Sequence, residues 1–81
     1  MNRKIEFATE ETKNLVSYVK ERFDNEPEAI QTLRTRFASI INDLVIERNS
    51  LERGEKSRNL QIAITHLEDA CMRAIKAAYM N

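Results

Sequence analysis

Between Leu60 and Ala78 the residues Leu60, Ala63, Ile64, Leu67, Ala70, Cys71, Ala74 and Ala78 recur every three or four positions. That spacing lines one stripe of an α-helix. Met72, Ile75 and Tyr79 repeat at the same interval but lie roughly 110° around the axis from the first stripe. A predicted helix over 57–79 thus carries apolar residues on more sides than one neighbouring helix covers, and the excess points to self-assembly.

A second stripe, Ile30, Leu33, Phe37, Ile40, Ile41, Leu44 and Leu51, broken by Arg48, predicts a helix over 26–52 about 40 Å long. Asn25 and Glu28 have capping-box spacing at its start, with Pro27 tolerated in the first turn. A shorter helix is predicted over 10–23. Thr9 is its N-cap, Glu10 and Glu11 favour its dipole, Leu15, Val16, Val19 and Phe23 point inward, and Tyr18 borders that stripe. Gly54 is expected as a left-handed C-terminal cap that returns the last helix antiparallel to the second. The expected fold is all-α: one domain over 1–81, with a short N-terminal helix followed by a long antiparallel helical hairpin that assembles as a helical homo-oligomer.

A chain of 81 residues buries only about 60% of its unfolded surface, so association is a physical remedy for a small core. The single cysteine, Cys71, excludes an intrachain disulfide, and with one histidine, His66, a Cys/His zinc site lacks ligands. Thirteen basic residues balance thirteen acidic ones, so the whole chain lacks the basic bias of a DNA- or RNA-binding protein. Local basic groups remain, Arg34 with Arg36, and Arg53, Lys56 and Arg58 around the only glycine. These could hold a small anion. No apolar run approaches a membrane span or a secretory signal, so a soluble cytoplasmic protein with no membrane partner is expected.

Catalysis finds little support in the sequence. His66 lies close to Glu68 and Asp69, a neighbourhood common by chance on helices, and it reads as a boundary residue. The predicted core stripes hold no inward glutamates with Glu-x-x-His spacing for a metal centre. One glycine leaves no room for a phosphate loop or a nucleophile elbow. No catalytic residue, metal or cofactor is therefore expected. On the back of the last helix, Arg58, Ile62, Thr65, Asp69, Met72 and Lys76 form a continuous face. Arg58 and Lys76 are about 27 Å apart along it, so they cannot share one small ligand.

The run from Arg58 to Lys76, with Arg58, Ala63, Thr65, Leu67, Met72 and Lys76 at the motif positions, resembles the closing helix of a phage anti-defence hairpin domain. That domain is shared by anti-CBASS cyclic-oligonucleotide sponges and Thoeris anti-defence sponges, and the chain length favours the anti-CBASS branch. The chain departs from the pattern at Cys71, where a larger apolar or aromatic residue is usual, and at Lys76, where arginine is expected. The resemblance implies a protein that binds cyclic di- and trinucleotide immune signals without cleaving them, in the cytoplasm of an infected bacterial cell. It also implies a homo-oligomer, typically a hexamer, with pockets between protomers.

Such a pocket needs basic groups for phosphates and aromatic faces for bases. Arg58 is the foremost phosphate candidate, being in the first turn of the predicted last helix. Arg22 and Arg34, with Lys20, are weaker candidates. Phe23 and Phe37 lie on core stripes, which leaves Phe7 and Tyr18 as base-stacking candidates. For Phe7 a hydrophobic staple against the first helix is an equal reading. The alternative function is a helical hairpin that docks onto another protein and ignores nucleotides.

Overall fold

The structure, a computed structural model, describes residues 5–80. Its elements are α1 (Glu10–Leu15), α2 (Lys20–Asn25), α3 (Glu28–Asn49) and α4 (Glu55–Tyr79). No strand occurs among the described residues. The α3 and α4 helices form the long antiparallel hairpin, α1 packs on α3, and the described chain spans 42 × 25 × 16 Å.

The first helix expected over 10–23 is instead two short helices. Thr9 caps α1 as expected, its hydroxyl accepting a hydrogen bond from the Thr12 N–H at 3.1 Å. The helix then ends in a Schellman motif: Ser17 N–H donates to Asn14 O at 3.0 Å and Tyr18 N–H to Lys13 O at 2.8 Å. Ser17 has φ 54°, the left-handed conformation that glycine usually takes at this position. The turn reorients the chain before α2, so Val19, expected inward, is 45% exposed.

Two further boundaries differ from expectation. Glu28 opens α3, with Pro27 at its N-cap and no side-chain cap bond. The capping box does not form, because the Asn25 amide donates back to Glu21 O at 2.8 Å. At the other end α3 stops at Asn49, and the Ser50 hydroxyl and amide bond back into its last turn. Gly54 is therefore not a left-handed C-cap. It is extended, with φ 164°, and is the N-cap of α4.

The core consists of Ile5, Ala8, Val16 and Phe23 from the N-terminal segment, Ile30, Ala38, Ile41 and Val45 from α3, and Ile64, Cys71 and Ile75 from α4. Ile75, assigned from its spacing to a stripe needing a second partner, is covered within this chain at 6% exposure. Met72 on the same stripe is half-buried, and its sulfur accepts a hydrogen bond from the Ser17 hydroxyl at 3.4 Å. The N-terminal segment supplies the cover that the hairpin alone lacks. Ile40, expected on the inward stripe of α3, is exposed together with Ile46 and with Ile62 of α4.

Polar side chains occupy core positions on α3. Asn42 is buried, and its Oδ1 accepts from Thr9 N–H and from the Thr12 hydroxyl, both at 3.0 Å. This pins the start of α1 onto the middle of α3. A buried polar group costs stability unless it is hydrogen-bonded, so each partner secures the other.

Candidate functional site

The sequence-predicted site residues lie at two ends of the hairpin. Arg58 stands at the α2-distal end, beside the turn joining α3 to α4, whereas Arg22, Arg34 and Tyr18 belong to the end where α4 finishes. Arg58 and Tyr79 are about 31 Å apart along α4. One protomer does not bring all five candidates to one small ligand.

At the turn, Arg48, Arg53, Gly54, Glu55, Ser57, Arg58 and Gln61 line a cleft of about 450 Å³. Because α4 begins at Glu55, Arg58 lies at the end of the first turn, and its own N–H already donates to Gly54 O at 3.0 Å. Its exposed guanidinium pairs with Glu55. Arg48 forms a bidentate pair with Glu11 of α1, at 2.9 and 2.6 Å, and donates to Gln61 Oε1 of α4 at 2.6 Å. This arginine holds three elements together. Its hydrogen bonds lower the Glu11 pKa, and Glu11 in turn raises that of Arg48.

At the other end, Arg34 is buried in the fold. Its Nε and Nη2 donate to the two carboxylate oxygens of Glu26, each at 2.8 Å, and Nη1 donates to Val16 O at 2.6 Å and Ser17 O at 3.3 Å. The side chains of Arg34 and Glu26 are 6% and 2% exposed. The Tyr79 hydroxyl adds a bond to Glu26 Oε2 at 2.8 Å, tying the last turn of α4 to the corner before α3. Arg34 hydrogen bonding holds the Glu26 carboxyl below the usual carboxylate range, against the opposing effect of burial. Four of the five N–H donors of Arg34 are thus spent inside the fold.

The remaining candidates differ in availability. Tyr18 is half-buried, with its ring edge-on to Phe23 at 5.2 Å between centroids. Burial raises its pKa. Phe7 is 54% exposed, since Ile5 and Ala8 are the residues that dock the pre-helical segment. Arg22 is exposed on α2, close enough to Glu26 and Tyr79 to act on both electrostatically. Lys20 pairs with Asp24 at 2.8 Å.

Nucleophilic chemistry has a poor candidate in Cys71. It is fully buried, and desolvation pushes its thiol up to about 11, which keeps it protonated at neutral pH. His66 is exposed. Among the described residues no group of three or more His, Cys, Asp or Glu is placed to hold a metal ion, and no helix is long and apolar enough to cross a membrane.

A family model described as the Acb2/Tad1 hairpin domain matches residues 11–79. The chain belongs to the Acb2/Tad1 hairpin domain family. This is the family of anti-CBASS and anti-Thoeris sponges, a binding domain and not a known enzyme family. The match takes in α1 through α4 almost entirely, including the N-terminal helices whose course the closing-helix motif could not supply. Searches of curated proteins and of solved structures return no match.

Sequence reasoning did not foresee the roles of Glu11, Glu26, Arg48, Gln61 and Tyr79. Arg48 was visible as an interruption of an apolar stripe, a position where a charge must find a partner. Glu26 and Tyr79 carried no such mark.

Proposed function

We propose that this chain binds and sequesters cyclic di- and trinucleotide immune signals without cleaving them, countering CBASS-type anti-phage signalling in the cytoplasm of an infected bacterium. Membership of the Acb2/Tad1 hairpin domain family over residues 11–79 carries this reading. The separation of the candidate residues supports a site completed between protomers of a homo-oligomer, of which the hexamer is the expected form. In that arrangement Arg58 of one protomer meets a phosphate, and the exposed Phe7, Arg22 and the edge of Tyr18 are available to a base or phosphate from another. Arg34 would act by holding the Val16–Tyr18 turn.

The binding chemistry asks only for charge and stacking. Guanidinium groups form charge-assisted hydrogen bonds to phosphodiester oxygens, and aromatic faces accept bases. Release of an intact ligand is expected.

Calorimetric titration with a panel of cyclic di- and trinucleotides, followed by heating the complex and chromatography of the released material, tests the reading. Tight binding with intact ligand recovered supports it, and cleaved ligand overturns it. Silence across the panel shifts the reading to a helical-hairpin module that docks on another protein, for which the exposed Ile40, Ile46 and Ile62 would be the contact residues.

A further inference from the structure

Ser17 stands at φ 54°, a left-handed backbone that a residue other than glycine keeps only where its surroundings fix it. What fixes it reaches the turn from two helices. From α3, Arg34 Nη1 donates to Val16 O and Ser17 O, and on α4 the Met72 sulfur accepts from the Ser17 hydroxyl. The Tyr18 N–H then closes the turn on Lys13 O at 2.8 Å. Tyr18, the half-buried base-stacking candidate, therefore has its backbone set from outside its own segment.

Arg34 is itself aimed. The two oxygens of Glu26 accept from its Nε and Nη2 at 2.8 Å each, and this fork fixes the guanidinium plane with Nη1 facing the two carbonyls. Glu26 is held in turn by bonds at both its backbone and its side chain. Its N–H donates to Phe23 O at 3.1 Å, its carbonyl accepts from Gln31 Nε2 at 2.8 Å, and its Oε2 accepts from the Tyr79 hydroxyl at 2.8 Å. Phe23, joined to Glu26 by the first of these, is the ring against which Tyr18 stands edge-on. Tyr79 is 54% exposed, so packing accounts for little of its placement. Its bond to a buried carboxylate is charge-assisted and ties the end of α4 to the turn.

We propose that Tyr79 and Glu26 are positioning residues for the ligand site: the Tyr79 hydroxyl sets the Glu26 carboxylate, which aims Arg34 at the Val16 and Ser17 carbonyls and so presents the Tyr18 ring to a nucleobase. The inference rests on the cyclic-nucleotide reading and adds that the last turn of α4 governs affinity without touching the ligand. A loosened turn holds the binding-competent form for a smaller fraction of the time, and apparent affinity falls by that fraction. The loss is bounded by what the missing bond contributes to holding the turn.

The test compares the full-length parent, Tyr79→Phe, Glu26→Gln and, as the reference for lost stacking, Tyr18→Ala. Each is followed by thermal melts, by amide hydrogen exchange in NMR and by calorimetry with the cyclic-nucleotide panel. Tyr79→Phe keeps the ring and removes one hydroxyl. It is expected to melt within a few degrees of the parent and to exchange the Ser17 and Tyr18 amides several-fold faster, while the core amides of α3 keep their protection. Its affinity for cyclic nucleotides should fall roughly three- to tenfold, the worth of one hydrogen bond. Glu26→Gln should show the same changes enlarged, with a lower melt. The chain has two tyrosines and no tryptophan, so the emission of Tyr79→Phe comes from Tyr18 alone, and a stacked base quenches it. Unchanged exchange at both amides overturns the relay and leaves the sponge reading standing. Faster exchange with parental affinity, or binding without quenching of Tyr18, overturns the positioning role alone. Silence of the parent toward the whole panel removes the sponge reading and the positioning role with it, even where exchange is faster.

Discussion

At the scale of single residues, the buried pair of Glu26 and Arg34 dominates the end of the hairpin where α4 finishes. Removing one partner of a buried ion pair leaves the other charge uncompensated, so Arg34→Ala is expected to cost about 3–5 kcal/mol in urea unfolding. That loss is large against the stability of so small a domain. The same pair sets an acid response. The folded pKa of Glu26 is depressed below its ordinary value of 4.5, so its contribution is present above that value and is lost as pH falls through the depressed one. Glu11, lowered chiefly by Arg48, acts in the same direction. Melting temperatures should hold between about pH 7 and pH 5 and fall below the ordinary carboxylate range. In Glu26→Gln the melt should start lower and depend less on acid, and an acid profile as steep as the parent's would remove Glu26 from this role. These residues were illegible in the sequence for a definite reason. Arg34 and Asn42 are polar, and on a helix polarity reads as a solvent-facing position. They are buried because Thr9 and Thr12 reach Asn42 from a distant part of the chain, and because the corner between α2 and α3 turns Glu26 onto Arg34.

At the scale of elements, the Thr9 cap and the long span of α4 were legible, because a helical period and a cap are local properties. The break between α1 and α2 was not. A Schellman ending ordinarily announces itself with glycine, and here Ser17 takes the left-handed place. Arg34 secures that turn from α3 by binding the Val16 and Ser17 carbonyls, a contact no local window contains. Ser17→Val, which puts a β-branched residue at φ 54°, is expected to destabilise the fold by about 1–2 kcal/mol. Chemical denaturation checks this, and an unchanged midpoint would show that the turn relaxes without cost. Gly54 misled in the opposite sense, since a lone glycine near the end of an apolar stripe suggests a C-cap. Ser50 already closes α3, so Gly54 is left to open α4.

At the scale of the whole molecule, self-assembly was argued from apolar excess on α4, and the fold redistributes that excess. Ile75 and much of Met72 are covered by the chain itself, while Tyr79 of the same stripe stays exposed and is joined on the hairpin by Ile40, Ile46 and Ile62. Ile62→Asp tests whether the outer face of α4 is an interface. It should leave helicity and the intrachain core intact and reduce the particle mass in light scattering, because a charge would be buried unpaired between protomers. An unchanged mass would place the contact elsewhere. By itself the sequence determined the helical class, the antiparallel hairpin and the family-bearing last helix. These follow from periodicity, short connections and a run of motif residues, all of which are encoded close together along the chain. Only the tertiary structure decided where the first helix breaks, which polar groups are buried and which arginines remain available at the hairpin turn. Those outcomes depend on pairings between residues up to 55 positions apart, as in Ser17 and Met72, and a charge or hydroxyl reveals its role only when its partner is in place.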